Sequence, residues 1–172
     1  LLPATFPSIL VNANVGIAVS MASSICPFNL KEVCEAAIGL LRDPDYEVSE
    51  AIKGPDFPGG GLLLFDAAEL KKVVETGRGS FKVRSKYRYD KQNNCIEIVE
   101  IPATTTVEAI MDKIVDLVKE NKIREIADLR DETDLNGLKL TLDLKRGQDP
   151  DKLMQKLYRM TPLQDNYSCN FN

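Results

Sequence analysis

The chain has 172 residues, room for one domain or for a domain with a short arm. Apolar residues make up 44% and charged residues 28%, a balance that excludes the disordered and fibrous classes. A formal net charge of -4 argues against a uniformly basic nucleic-acid binder, and the complete lack of His removes every mechanism that needs imidazole.

Residues 1–30 carry no charged side chain. Pro3, Pro7, Asn12, Asn14 and Pro27 interrupt the ~20-residue apolar run that a membrane span needs, and no basic segment precedes the stretch as in a signal peptide. Neither a span nor a leader is expected, and the missing initial Met points to a piece of a longer chain. Asn29 and Glu32 form a capping pair before Leu30, Val33, Cys34, Ala37, Ile38 and Leu41, whose spacing predicts a helix stopped by Asp43-Pro44. Gly54-Pro55-Asp56-Phe57-Pro58-Gly59-Gly60-Gly61 reads as a rigid turn into a short strand at 62–65, followed by a helix from about Ala67 to Glu75 that ends at Gly77.

From Gly79 to Tyr89 the residues alternate, and Cys95 to Ile101 is a second β-rich run after the turn at 91–94, so the two predict a hairpin. Thr105 and Glu108 suggest a capping box for a helix to about Asn121 with Ile110, Ile114, Leu117 and Val118 buried. Leu138, Leu140, Leu142 and Leu144 alternate with polar residues in a strand buried on one face. Asp149, Pro150, Leu153, Leu157 and Met160 mark a last helix. The order from Leu62, β-α-β-β-α-β-α, is close to a split βαβ arrangement and predicts an α+β fold with helices on one face of an antiparallel sheet.

Charge is unevenly spread: residues 31–70 hold 3 basic and 9 acidic side chains, 71–91 hold 8 and 2, and 92–172 hold 11 and 15. In the cationic block Lys82, Arg84, Lys86 and Arg88 fall on alternate residues, which a strand sends to one face, about 6.6 Å apart and extended by Arg78 and Lys91. Such a row suits successive phosphates of a nucleic-acid backbone, giving affinity without base reading; an ordinary solvated sheet face is the alternative. Gly77-Arg78-Gly79-Ser80 lacks the lysine of a phosphate loop and reads as a tight strand entry. Asp128, Asp131, Glu132 and Asp134 mismatch a calcium loop, which needs a following helix, and read as an acidic turn with Arg130 as internal partner. Cys26, Cys34, Cys95 and Cys169 show no CxxC spacing and read as reduced thiols. Composition alone puts Ile17 in the core.

Several motifs resemble one family. Leu2-Pro3-Ala4 to Pro7, Val11-Asn12, Gly16-Ile17-Ala18-Val19, Met21-Ala22, Pro27 and Asn29-Leu30 are followed in order by Gly54-Pro55-Asp56-Phe57-Pro58, Glu75-Thr76-Gly77-Arg78-Gly79-Ser80, Glu100-Ile101-Pro102, Asp128-Leu129-Arg130-Asp131-Glu132, Leu157-Tyr158 and Thr161-Pro162-Leu163-Gln164. Together they resemble the A subunit of bacterial type IIA topoisomerases, gyrase and topoisomerase IV, over essentially the whole chain.

The resemblance implies that residues 1–30 end the DNA-cleavage domain with its wedge segment and that 31–172 are an α/β tower domain. It implies that Ile17 wedges between base pairs, with Asn14, Val15 and Gly16 beside it on DNA, and it favours DNA contact by Arg78, Lys82, Arg84, Lys86 and Arg88. The implied partners are double-stranded DNA, a B subunit carrying the ATPase and Mg2+ sites, and a second A subunit met through segments outside this chain. No membrane partner is implied, the location is cytoplasmic and nucleoid-associated, and no metal or cofactor belongs to this fragment. The family nucleophile is a Tyr preceded by Arg, a context that Tyr46, Tyr87, Tyr89, Tyr158 and Tyr167 all lack, so the fragment is expected to bend DNA and cut nothing. The alternative is a structural scaffold that joins the cleavage domain to the dimerising segment without touching DNA. Val15 stands where the family has a small polar residue, Ser20 where it has Gly, Cys26 and Phe28 where it has Pro and His, and residues 103–106 and 165–169 also depart from its pattern.

Overall fold

The computed structural model describes residues 3–172; Leu1 and Leu2, and with them the first residue of the opening motif, lie outside the described residues. After a single turn, α1 (Ser8–Val11), each longer helix starts at a side chain that accepts the free N–H groups of its first turn. Asn29 accepts from Lys31 and Glu32 at the start of α2 (Leu30–Arg42), and Asp66 accepts from Ala68 and Glu69 at α3 (Ala67–Thr76). Asp149 accepts from Asp151 and Lys152 at α5 (Pro150–Met160). Gly77 closes α3 in the left-handed region, φ 67°, where a residue without Cβ carries no penalty.

Two caps differ from expectation. Glu32 does not complete the box, because its carboxylate accepts the N–H of Lys53. The cap of α4 (Val107–Lys119) is Thr106, whose hydroxyl accepts from Ala109, while the Thr105 N–H is spent on Pro102 in the preceding turn. Ile110, Ile114 and Leu117 are buried as expected, but Val118 is 38% exposed.

The fold is α+β, with two sheets rather than the single one expected. A five-stranded sheet has the order β1 (Asn14–Ala18), β2 (Met21–Ile25), β9 (Gln164–Asn170), β4 (Arg78–Arg84), β3 (Leu62–Leu64). An antiparallel four-stranded sheet has the order β5 (Lys86–Asp90), β6 (Cys95–Glu100), β8 (Leu140–Leu144), β7 (Ile126–Asp131). The chain divides into two compact units: one of the described residues up to Pro58 with Leu63–Lys82 and Asn166–Asn172, the other of Gly59–Leu62 with Val83–Asp165.

The expected strand from Gly79 to Tyr89 breaks at Ser85. Its N–H donates to the Leu163 carbonyl and its carbonyl accepts from the Tyr158 hydroxyl, so its backbone is taken by a loop and a helix rather than by a sheet neighbour. The ladder of β4 therefore ends there, and only β5 and β6 form the hairpin, from Lys86 opposite Glu100 to Asp90 opposite Cys95. The acidic stretch at 128–134, an expected turn, is mostly edge strand β7, and the turn is confined to Asp134–Gly137. Charged side chains on an edge strand are a usual guard against stray pairing, and they hide the strand from a periodicity argument.

The first unit buries Cys26, Phe28, Val33, Ile52, Leu70, Val73, Phe81 and Cys169. In the second, Ile96 opposite Leu142 and Ile98 opposite Leu140 form the inner face of the sheet and share one core with Ile110, Ile114, Leu153 and Leu157. Full burial of each such side chain contributes about 1.5–3 kcal/mol. The other face of the same strands is polar and linked charge to charge. Arg88 pairs with Glu97, Glu97 with Lys139 at 2.9 Å, Lys139 with Glu132 at 3.0 Å, Glu132 with Arg130 at 3.5 Å and Arg130 with Asp143 at 3.0 Å. Arg130 thus reaches across to β8 instead of serving only the acidic turn.

Lys139 and then Arg88 hold the Glu97 carboxyl below the usual carboxylate range. A carboxyl depressed in the folded state adds stability above its unfolded value of about 4.3, and that share is lost as pH falls through the folded value. Glu97→Gln is therefore expected to lose less stability than the wild type between pH 7 and pH 3, measured as urea midpoints. Equal losses in the two proteins would remove Glu97 from the acid response.

Candidate nucleic-acid interface

Strands β1 and β2 form a hairpin in register from Asn14 opposite Ile25 to Ala18 opposite Met21, closed by Val19-Ser20. Ser20 has φ 66°, a left-handed conformation that Gly adopts without cost. All of β1 is exposed: Ile17 at 89%, with Val15 and the neighbouring Val19 and Met21 also open to solvent. The composition-based placing of Ile17 in the core is thus overturned, because β1 is an edge strand and no element among the described residues covers its face. Val15 and Ile17 share that face, and their cross-strand partners Ser24 and Ala22 are too small to shield them. Nothing lies within 4 Å of where a Cβ on Gly16 would stand, so the opposite face of the ribbon is open there as well.

The hairpin is held along β2, from Ala22 beside the turn to Ser24. Ser24 pairs with Asn170 of β9, and the Ala22 carbonyl accepts from the side-chain amides of Asn170 at 2.8 Å and Asn172 at 2.9 Å. Ile25 and Cys26 then enter the core. Nothing local in the sequence marks this clamp: its partners are about 150 residues apart, and Asn is a poor strand former.

The expected cations divide between the two sheets. Arg78 and Lys82 on β4 are exposed and have no ion pair among the described residues. Arg84, at the end of β4, packs its guanidinium 5.0 Å from the Tyr158 ring and donates from Nε to Gln164. Lys86 pairs with Glu100 at 3.3 Å and Arg88 with Glu97, although both cationic side chains remain more than half exposed. Alternation of exposure survives the break, with Phe81, Val83 and Ser85 buried and Lys82, Lys86 and Arg88 open. A row of four equivalent free cations does not, since three of them have protein partners in the free chain.

Other constellations are structurally occupied. A Cβ on Gly79 would meet Glu69 and Val73 at 2.6 Å, and the Ser80 N–H donates to Glu69, so the turn at 77–80 closes on its own helix and presents no phosphate cradle. Asp90, Cys95 and Glu97 bring three ligand atoms within 4.8 Å of one another. A thiol beside a carboxylate that already serves Lys139 and Arg88 is a poor match to the all-oxygen octahedral shell of Mg2+. The phenols of Tyr87, Tyr89 and Tyr158 donate to Asp151, Asn94 and the Ser85 carbonyl. Burial pushes the Tyr87 and Tyr158 phenols up, opposite to what a phenolate nucleophile needs. No helix among the described residues is long and apolar enough to cross a membrane.

A family model for the DNA gyrase/topoisomerase IV A subunit matches residues 1–172. The DNA gyrase A subunit of Borrelia hermsii is 39% identical over 175 residues, which cover 98% of this chain and 22% of that protein. The DNA topoisomerase 4 A subunit of Synechocystis is 42% identical over 181 residues, covering 98% and 20%. The chloroplastic/mitochondrial DNA gyrase A subunit of Nicotiana benthamiana is 41% identical over 179 residues, covering 99% and 19%. The chain thus spans about a fifth of the length of the relatives it matches.

Proposed function

This chain belongs to the family of DNA gyrase and topoisomerase IV A subunits, and from that premise we propose that it is the part that grips and bends the duplex, without cutting it. In this reading residues 1–30 close a DNA-cleavage domain and 31–172 form a tower beside it. The observation that carries the reading is the uncharged hairpin with Ile17 89% exposed and its second strand, β2, tied to β9. A bare isoleucine on a narrow ribbon has the shape and chemistry of a wedge that unstacks one base step, at a few kcal/mol, repaid by backbone contacts along the bend. Asn14, Val15 and Gly16 flank the wedge, and Arg78, Lys82, Arg84, Lys86 and Arg88 supply phosphate contacts.

Mg2+ and ATP chemistry belongs to the whole enzyme with its B subunit. The donor set at Asp90, Cys95 and Glu97 does not suit Mg2+, and no step of the proposal passes through either group. The whole enzyme is an isomerase that passes one duplex through another in the cytoplasm, and this chain contributes DNA binding to it.

A second reading, a scaffold without DNA contact, is favoured by the ion pairs that engage Lys86 and Arg88. Fluorescence anisotropy with a ~30 bp duplex over a salt series separates the two. For four neutralised phosphates, log K falls against log salt with a slope near -3 to -4, and the variant carrying Lys82→Gln, Arg84→Gln, Lys86→Gln and Arg88→Gln is expected to give a markedly shallower slope. Binding with the same slope in both proteins would leave these cations to the scaffold.

A further inference from the structure

Cys26 and Cys169 meet inside the first unit. Cys26 is the residue that follows β2, Cys169 lies on β9, and the pairing of Ser24 with Asn170 draws the two segments together. Their sulfurs are 3.5 Å apart, both thiols are free, and the residues are 0% and 4% exposed. A disulfide needs about 2.05 Å between sulfurs, so the gap closes by about 1.5 Å, within the reach of small side-chain adjustments. We propose that Cys26 and Cys169 form an oxidisable dithiol, a site of reversible intramolecular disulfide formation by a small two-electron oxidant such as a hydroperoxide.

The chemistry follows from the surroundings. The Cys26 thiol and the Cys26 backbone N–H both face the Cys169 sulfur and favour its thiolate, whereas the same sulfur contact, and after it burial, hold Cys26 protonated. Cys169 is also the less covered residue of the two. Its thiolate attacks the hydroperoxide, breaking the O–O bond and giving a sulfenic acid and one equivalent of water or alcohol. The Cys26 sulfur then attacks that sulfenic sulfur, and the sulfenic oxygen leaves as water with the Cys26 proton. Two thiols are oxidised, one peroxide is reduced, and one S–S bond forms.

The other two cysteines provide the contrast. Cys34 is half-buried on α2 and Cys95 is buried on β6, and neither has a second sulfur in contact among the described residues. The oxidised bond joins residues 143 apart in sequence, the kind of long closure that restrains an unfolded chain most.

The test uses this chain, treated folded with hydrogen peroxide and then digested under non-reducing conditions for mass spectrometry. The expected result is a loss of two hydrogens from the intact mass, a single linked peptide pair containing Cys26 and Cys169, reversal by dithiothreitol, and a thermal midpoint raised by roughly 5–15 °C. The Cys34→Ser, Cys95→Ser double variant, which keeps only the pair, is expected to give the same linked peptide. Recovery of both Cys26 and Cys169 as alkylatable thiols after peroxide, or their appearance only in intermolecular dimers, would overturn the proposal in wild type and variant alike.

Discussion

Truncating Leu142 to alanine is expected to lower the free energy of unfolding by about 2–5 kcal/mol, the range for removing a fully buried Leu and leaving a cavity. Leu142 is 0% exposed in β8, with Ile96 across one ladder and Leu129 across the other. A central strand has no freedom to move inward, because each neighbour is fixed by its own hydrogen bonds, so the vacated volume collapses poorly. Leu135 is the internal control: at the turn between β7 and β8 it is fully exposed, and Leu135→Ala should change stability by no more than about 0.5 kcal/mol. Urea unfolding followed by circular dichroism reads both, and the slope of free energy against urea should stay the same while the midpoint moves. Similar midpoints for the two variants would mean that the four-stranded sheet does not hold the second unit together.

Ile17→Ala is expected to reduce DNA bending far more than DNA affinity. The Ile17 side chain contacts solvent in the free protein, so its loss costs the fold almost nothing and the variant stays folded. In the proposed DNA complex it removes the group that would hold a base step open, while the phosphate contacts that would supply most of the affinity are untouched. Energy transfer between dyes at the two ends of a short duplex should fall close to the value for free DNA, with the dissociation constant raised less than about tenfold. A proportional fall in both signals would make Ile17 an ordinary contact and not a wedge.

The helices were legible where the physics is local. Asn29, Asp66 and Asp149 each announce a helix through a side chain that reaches only two or three residues ahead, and the structure uses all three. One residue of error at Thr105 arose because two adjacent threonines offer the same cap, and the turn at Pro102 takes the first of them. The strands were legible only where burial alternates. Leu140 to Leu144 shows it, whereas β7 hides behind its charges and β9, Gln164–Asn170, is mostly polar. The break at Ser85 is invisible locally because its causes are Tyr158 and Leu163. For the candidate interface, alternation rightly separated exposed cations from buried Phe81 and Val83. It had no means of showing which cations meet carboxylates, since Glu97 and Glu100 sit on the partner strand of a hairpin. Ile17 was misplaced by composition because hydrophobicity carries no information about whether a covering element exists; only the motif resemblance pointed outward.

The division of the chain has a consequence for its biosynthesis. The second unit is nearly continuous, from Val83 to Asp165 with one short added segment, and its contacts can form as soon as that stretch leaves the ribosome. The hairpin emerges before that unit but is secured only after it, because its clamp is Asn170 and Asn172. Until those residues are made, an uncharged apolar ribbon is waiting for its strand partner, the interval in which nascent chains are most open to chaperones or to pairing with each other.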